Sequence, residues 1–327
     1  MPIVTGRGPR FLTKREFFFE SADRKTQIHC VEWRPESKPR AVVQIAHGIS
    51  SHVSRFEPLA EFLCARGIAA VGNDHLGHGE SVASEADRMF FAETGGWDMA
   101  VADLRKLTEL TRETFSGVPV FLLGHSMGSF LARCSAIRWQ DGLDGLILSG
   151  TGQPPAPVVS SGLLLVEDEV RRHGARYPGD KLQKLMLERY NSRIKPCRTP
   201  LDWLSRDEKV IDRVIADSGF GGTPTLGLLR DMLGGIAYMS RTRNLRRMNR
   251  NLPVLFFSGD ADPVGEYGKG VVRSYMSFVG AGMLDVTLKL YPGGRHEMLN
   301  EINRDQVRGD ILGWVETKMR ERSDADT

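Results

Sequence analysis

The sequence feature that most constrains the fold is a Gly-x-Ser-x-Gly motif, Gly124 to Gly128, between an apolar run and a helical pattern. Residues 118–123 are apolar throughout, which is typical of a strand buried on both faces of a parallel sheet. Apolar residues then recur at helical spacing, at Met127, Phe130, Leu131 and Cys134. A chain that changes from strand to helix within about three residues passes through a strained backbone and projects its central residue above the sheet. That residue is Ser126.

Ser126 is therefore the candidate nucleophile. The glycines on either side lack a Cβ, so the turn can close against its neighbours. The N–H of Met127 lies at the start of the helix, where backbone donors are free and the helix dipole favours negative charge. This predicts one half of an oxyanion hole beside the serine. The alternative is that a five-residue pattern of glycine and serine arises by chance, but the strand before it and the helix after it favour catalysis.

Strand and helix patterns alternate on both sides of this motif, which indicates a parallel sheet with helices on both faces. Residues 15–20 and 26–33 suit an antiparallel edge hairpin. Apolar strand patterns follow in six further stretches, at 41–46, 68–71, 118–123, 143–148, 252–257 and 286–290. The predicted fold class is α/β, with a mostly parallel eight-stranded sheet flanked by helices. A helical cap is inserted after the sixth strand.

The alternation stops at Gly150, and the next hundred residues show helical patterns only. We expect a core formed by residues 1–150 and 252–327, with residues 151–251 as a helical cap, or lid, over the carboxyl ends of the strands. Ligands of such sheets bind at that edge. The apolar runs at 163–166 and 228–236 either line an apolar pocket or pack the cap on the core.

A serine hydroxyl needs a base within hydrogen-bond reach, and the base needs a group that fixes its tautomer. In this topology the acid and the histidine follow the serine in that order, each after a later strand. Asp260 and Asp262 follow the strand at 252–257, and His296 follows the last strand. We prefer Asp262 because it lies deeper in its loop and precedes a proline. His125 is excluded as the base, since a residue next to the serine on a tight turn points away and packs structurally.

The strand at 41–46 ends in His47-Gly48, where the N–H of Ile49 is placed to be a second oxyanion donor. The alternative is an ordinary turn that uses Gly48 for its backbone freedom. A polar, glycine-rich loop at 73–81 lacks the lysine and the spacing of a phosphate-binding loop, and it lacks a dinucleotide fingerprint. His52, His75 and His78 have no cysteine or carboxylate at metal spacing. We therefore expect neither a metal nor an organic cofactor.

The overall composition limits the classes of binding partner and the cellular location that we expect. The net charge of +3 is too balanced to indicate nucleic acid binding. The four cysteines are scattered along the chain, which predicts that their thiols are reduced. The first 14 residues lack a signal-peptide core and no run has membrane-spanning length. Together these observations predict a cytoplasmic location. Five arginines between 241 and 250 either form a solvated helix face or meet anionic lipid headgroups. Peripheral membrane contact and oligomeric state are left open.

Several segments together resemble the α/β-hydrolase family of monoacylglycerol lipases and lysophospholipases, whose members are often described as serine aminopeptidase-like hydrolases. The resemblance covers about residues 15–320 and is weaker in the cap. The segments that carry it are His47-Gly48, Arg55-Phe56, 74–81, 124–128, 259–262 and 291–297. The chain has Ser50-Ser51-His52 where animal monoacylglycerol lipases usually show Gly-Glu-His, so acyl-chain length and head group do not carry over.

The resemblance implies an α/β-hydrolase fold with a hydrolase core and a cap. It also implies a serine hydrolase that cleaves a small-molecule ester of lipid type through an acyl-enzyme on Ser126. By the same resemblance His296 is the base, Asp262 its orienting acid, and Ile49 and Met127 the oxyanion donors. One alternative is an aminopeptidase or amidase, which needs carboxylates in the cap to hold an amine, with residues 167–169 as candidates. Another is a binding protein on an inactive hydrolase fold. A dehalogenase or epoxide hydrolase is disfavoured because those enzymes place a carboxylate at position 126.

Overall fold

A single sheet of eight strands forms the centre of the computed structural model, which describes residues 12–325. The strands are β1 (Leu12–Glu20), β2 (Gln27–Pro35), β3 (Ala41–Ala46), β4 (Ile68–Asn73), β5 (Val120–His125), β6 (Gly145–Ser149), β7 (Val254–Gly259) and β8 (Val286–Tyr291). Their order across the sheet is β1-β2-β4-β3-β5-β6-β7-β8. β2 pairs antiparallel with β1 and β4, and the remaining pairs are parallel. The predicted edge hairpin and the mostly parallel sheet are confirmed.

Ten helices accompany the sheet in the described part of the chain. They are α1 (Glu57–Cys64), α2 (Gly96–Thr114), α3 (Met127–Arg138), α4 (Ala156–His173), α5 (Asp180–Asn191), α6 (Glu208–Ala216), α7 (Leu226–Met239), α8 (Thr242–Leu245), α9 (Lys269–Ala281) and α10 (Arg304–Ala325). Within residues 12–325, none of them is long and apolar enough to cross a bilayer.

Helices cover both faces of the sheet, which is why its central strands are buried at every position and mostly apolar. In β5, Val120 and Leu122 point into one core together with residues of α2, α3 and α9. Phe121 and Leu123 point into the opposite core, with residues of α1 and α10. This two-residue alternation between two cores leaves no solvent-facing position in the strand.

Strand boundaries differ slightly from the sequence prediction around the motif. The strand predicted at 118–123 begins at Val120 and continues through His125. Val118 instead closes the turn after α2, since its N–H donates to the carbonyl of Phe115. The strand therefore delivers the chain directly to Ser126.

Five helices, α4 to α8, lie in sequence between β6 and β7. The helical patterns predicted in this stretch correspond to α4, α5, α6 and α7. The short α8 lies within the arginine-rich stretch at 241–250, for which a solvated helix face was one of the two interpretations. Leu228 and Ile236 of α7 are buried in the core formed with α2 and α3. Of the two interpretations of the apolar run at 228–236, pocket lining or packing on the core, α7 therefore follows the second. By contrast, Leu164 and Leu165 of α4 are 67% and 53% exposed.

Candidate active site

Ser126 lies in the tight connection between β5 and α3, with φ 53° and ψ −123°. A residue with a side chain rarely adopts a positive φ, and such strain persists only where the surroundings over-determine it. Here the N–H of Ser126 donates to the carbonyl of Ser149 at the end of β6, at 2.9 Å. The side chain of Ser126 is half-buried, while the residues before and after it are buried. The predicted strand–serine–helix turn is present.

Close packing around this turn explains its glycines. A Cβ on Gly128 would lie 2.1 Å from the carbonyl oxygen of Ala46, so no other residue fits without moving the end of β3. A Cβ on Gly48 would lie 3.1 Å from the Cβ of Ser126. The loop after β3, which carries Ile49, therefore lies directly against the serine. Met127 is the first residue of α3, so its N–H has no acceptor within the helix.

Asp262 and His296 meet at the ends of β7 and β8. The Nδ1 of His296 is 2.9 Å from Oδ2 of Asp262, and both side chains are fully buried. The other carboxylate oxygen of Asp262 accepts the N–H of Val264, and Oδ2 also accepts the hydroxyl of Ser258. These bonds leave Nδ1 as the protonated nitrogen and direct the opposite ring nitrogen away from the acid. Asp260 instead accepts the N–H of Gly293 at the surface.

The two loops that carry this pair touch each other. A Cβ on Gly259 would lie 1.8 Å from the carbonyl oxygen of Gly294, which shows how closely the end of β7 approaches the loop before His296. The imidazole in turn lies over the residue that follows β6, because a Cβ on Gly150 would be 3.0 Å from its Cε1. The adjacent residue, Ser149, is the one that bonds the backbone of Ser126. All three predicted side chains thus lie at one edge of the sheet.

His125 is buried and its Nδ1 lies 3.2 Å from the hydroxyl of Ser149, which confirms that it packs structurally. Its ring also contacts that of His296, with centroids 4.7 Å apart. Burial, with the nearby His296, lowers the pKa of His125 to about 3. His125 is therefore a neutral neighbour of the other imidazole across the working pH range. The sequence analysis assigned it no such contact.

An ion pair next to His296 was also not predicted. The guanidinium of Arg55 donates two hydrogen bonds to the carboxylate of Glu297, both at 2.9 Å. Burial raises the pKa of Glu297, but the charge and hydrogen bonds of Arg55 outweigh it and bring the value down to about 2. Both residues are in segments named for the family resemblance, but a contact across 242 residues has no signal in a single sequence.

Three buried histidines support the loop after β3. The Nε2 of His47 accepts the N–H of His75, and the Nε2 of His75 donates to the carbonyl of His47. Burial lowers the pKa of His47 well below its ordinary value, that of His75 to about 3 and that of His78 to about 4. The polar loop at 73–81 is thus a structural support of the serine's surroundings. Among residues 12–325 no group of histidines, cysteines and carboxylates is arranged to hold a metal ion.

Comparison with known proteins identifies the family. The model of the family described as "Serine aminopeptidase, S33" matches residues 37–303. The chain belongs to this family of α/β-hydrolases. A monoglyceride lipase homolog of monkeypox virus is 40% identical over 293 residues, which cover 89% of this chain and 93% of that protein. A monoacylglycerol lipase of Mycolicibacterium smegmatis is 27% identical over 285 residues, 86% of this chain and 90% of that one.

Solved structures of the family share the fold. A thermostable carboxyl esterase from Bacillus coagulans, solved in complex with glycerol, superposes with a TM-score of 0.86 at 29% identity. The superposition covers 94% of this chain and 99% of the esterase. With these relatives in the family, the chain is a carboxylic ester hydrolase.

Proposed function

We propose that this enzyme is a serine hydrolase that cleaves carboxylic esters of lipid-like substrates, monoacylglycerols or lysophospholipids, through an acyl-enzyme on Ser126. The observation that carries the proposal is the 2.9 Å contact between His296 and Asp262 at the sheet edge that also bears the strained Ser126. The names of the relatives, monoacylglycerol and monoglyceride lipases, and the glycerol in the related esterase support the substrate class.

The proposed reaction has two halves. Ser126 Oγ attacks the ester carbonyl while Nε2 of His296 takes the hydroxyl proton, and Asp262 accepts the Nδ1–H and balances the imidazolium. The N–H groups of Ile49 and Met127 hold the oxyanion, each contributing on the order of 3 kcal/mol. The C–O bond to the alcohol breaks as His296 returns the proton to the leaving oxygen. Water then attacks the acyl-enzyme by the same steps and releases the fatty acid.

The rival aminopeptidase or amidase function needs free carboxylates in the insertion. Asp168 instead pairs with Arg171 and Arg172, and Glu169 with Arg172 and His173, all on the same helix. Two of the three candidate carboxylates at 167–169 are thus engaged in pairs along α4, and the third, Glu167, is exposed, which favours the esterase. The other alternative, a binding protein without catalytic activity, is tested by active-site labelling.

The test combines labelling with turnover. A fluorophosphonate should add to Ser126, located by mass spectrometry of the digested protein. Ser126→Ala should lose the label and lower kcat on esters by about 1,000-fold or more. Ser161→Ala, at an exposed serine of α4, is the matched control and should keep both. Turnover by Ser126→Ala near the wild-type rate would refute the proposal.

Substrate class is tested by a panel of acyl glycerols, lysophospholipids, short p-nitrophenyl esters and amino-acid anilides. We expect kcat/KM to be highest for the lipid esters and lowest for the anilides. A preference for anilides over all esters would point to the amidase instead.

We further propose that residues 151–251 form the cap of this site, on a core of residues 1–150 and 252–327. The fully buried Arg133 donates to Gly152 and Gln153, which fixes the start of this segment on the core. Hydrogen exchange with and without a bound phosphonate tests whether residues 151–251 form this cap. Protection should increase within 151–251, and an increase confined to the core would contradict it.

Peripheral membrane contact is part of the proposal, as is a cytoplasmic location, which the four free cysteines support. The exposed apolar side chains of α4, Leu164 and Leu165, are suited to insert at a bilayer surface. Leu164→Glu with Leu165→Glu should reduce co-flotation with phosphatidylcholine vesicles. Leu284→Glu, at a 71% exposed leucine elsewhere, is the control and should float like the wild type. Equal flotation of all three proteins would contradict the contact.

A further inference from the structure

The imidazole of His296 contacts two rings that come from different parts of the chain. One is that of His125, and the other is that of Trp203, whose ring centroid is 4.9 Å from that of His296 at an interplanar angle of 39°. Trp203 belongs to the segment between β6 and β7, in a short turn at Asp202–Leu204. The indole also contacts the ring of Tyr190 of α5, with centroids 4.8 Å apart.

Backbone bonds fix the turn that carries Trp203 to the loop that carries His296. The N–H of His296 donates to the carbonyl of Trp203 at 3.3 Å, and the N–H of Glu297 donates to that of Leu204 at 2.7 Å. Arg295 also donates through Nη1 to the carbonyl of Asp202. The inserted segment is thus bonded to the histidine loop at consecutive residues, so the backbone segments that carry the indole and the imidazole are joined directly.

A second set of bonds secures the same junction. The carboxylate of Glu301, fully buried, accepts the backbone N–H groups of both Arg295 and Arg206 and the Nε of Arg206. The hydroxyl of Ser205 donates to the carbonyl of Asn300. One buried carboxylate therefore joins Arg295, the residue before His296, to Arg206, which lies three residues after Trp203.

The ring of Trp203 is placed by its ring contacts. Its Nε1 is buried and has no hydrogen-bond partner among residues 12–325, so no polar bond fixes the indole. When His296 takes the proton of Ser126, the positive charge forms on a ring that is 1% exposed. The groups that face it are the carboxylate of Asp262, the neutral ring of His125 and the π-system of Trp203. An aromatic face stabilises a desolvated cation.

We propose that Trp203 is a positioning residue of the catalytic base: its indole holds the His296 imidazole in place and stabilises the imidazolium that forms during catalysis. The inserted segment therefore contributes to the chemical step as well as covering the site. This inference rests on the proposed serine hydrolase function and extends it.

The test compares Trp203→Leu, Trp203→Phe and the wild type on p-nitrophenyl butyrate. A cation–π contribution of the usual size predicts that Trp203→Leu lowers kcat by about 2- to 30-fold. The acid limb of the kcat/KM–pH profile should move to lower pH by about half a unit, because the protonated form loses a stabilising neighbour. Trp203→Phe, which keeps an aromatic face, should stay within about three-fold of the wild type. A role in packing alone would not move the acid limb.

Trp139→Leu is the matched control. Trp139 is half-buried and follows the last residue of α3, about 18 Å of helix from Ser126. It should keep the wild-type kcat and pH profile.

Fluorinated tryptophans placed at position 203 alone keep the shape of the ring while weakening its π-system, so they remain informative if Trp203→Leu does not fold. We expect kcat to fall stepwise with each added fluorine. Three results would overturn the inference: a kcat that does not change across the fluorinated series, an acid limb that does not move in a folded Trp203→Leu, or a change in KM with kcat unaltered. Failure of the proposed function is distinguishable, because it would leave Ser126 unlabelled by fluorophosphonate in the wild type.

Discussion

Removal of the guanidinium from the Arg55–Glu297 pair is the perturbation whose size follows most directly from the structure. The two side chains are 11% and 6% exposed, and both oxygens of the carboxylate are engaged. A pKa of about 2 for Glu297, against an ordinary 4.5, corresponds to about 3 kcal/mol in favour of the ionised form. Arg55→Met leaves that carboxylate buried without its partner, which costs about 3–5 kcal/mol in comparable pairs.

We therefore expect Arg55→Met to lower the free energy of unfolding by about 3 kcal/mol at pH 7. Because the pKa of Glu297 is lowered by folding, its contribution is present above about pH 4.5 and is lost as the pH falls towards 2. The deficit of the variant should thus be largest at pH 7 and should shrink as the pH falls from 4.5 to 3. The double variant Arg55→Met/Glu297→Leu should recover part of the loss, since no buried charge remains.

Urea unfolding followed by circular dichroism measures these differences across this pH range. Arg172→Met is the matched control, because the side chain of Arg172 is 63% exposed in its pair with Asp168. Exposed pairs contribute at most about 1 kcal/mol, so this variant should unfold like the wild type. A loss below about 1 kcal/mol for Arg55→Met would refute the reasoning that the pair is desolvated.

Three further predictions concern other parts of the molecule. Gly128→Ala should prevent folding or destabilise the protein by several kcal/mol in thermal melts, because the new Cβ would lie 2.1 Å from a carbonyl oxygen. Gly309→Ala is the control: it has open space in α10 and should be neutral or stabilising by up to about 1 kcal/mol. The pKa values of His75 and His78 are lowered by burial to about 3 and about 4, so stability should fall as the pH drops below 6.5, by about 1.4 kcal/mol per pH unit for each histidine. Replacing both by glutamine should flatten that slope in urea titrations, and an unchanged slope would contradict the assignment. Cys197 is exposed and the other three thiols are buried, so a thiol reagent should modify one cysteine in the native protein and four after denaturation; rapid reaction of more than one native thiol would contradict the burial.

The positions of the strands were predictable because each carries a local pattern. Short apolar stretches bounded by turn residues and alternating with helical patterns indicate strands buried on both faces. The structure places β3 at the predicted residues and β5 two residues later. The choice of Asp262 over Asp260 also followed from local sequence, through Pro263. In the structure Asp262 lies against His296 while Asp260 is at the surface. The catalytic roles of these residues remain a proposal.

Contacts across the insertion were not predictable from the sequence. Trp203 and His296 are 93 residues apart, and nothing local to Trp203 distinguishes it from the other tryptophans. The same holds for the partner of Arg55. In both cases the residue type and its neighbours in sequence carry no signal, and the contact arises only because the fold brings a distant residue against it.

The sequence by itself determined the sheet, its direction and the edge at which Ser126, Asp262 and His296 lie, because periodicity and turn chemistry act over a few residues. Tertiary structure alone decided what surrounds the imidazole: a neutral His125, the indole of Trp203 and the ion pair beside it. Such contacts depend on how distant segments pack, and packing is a property of the whole chain that no single stretch encodes.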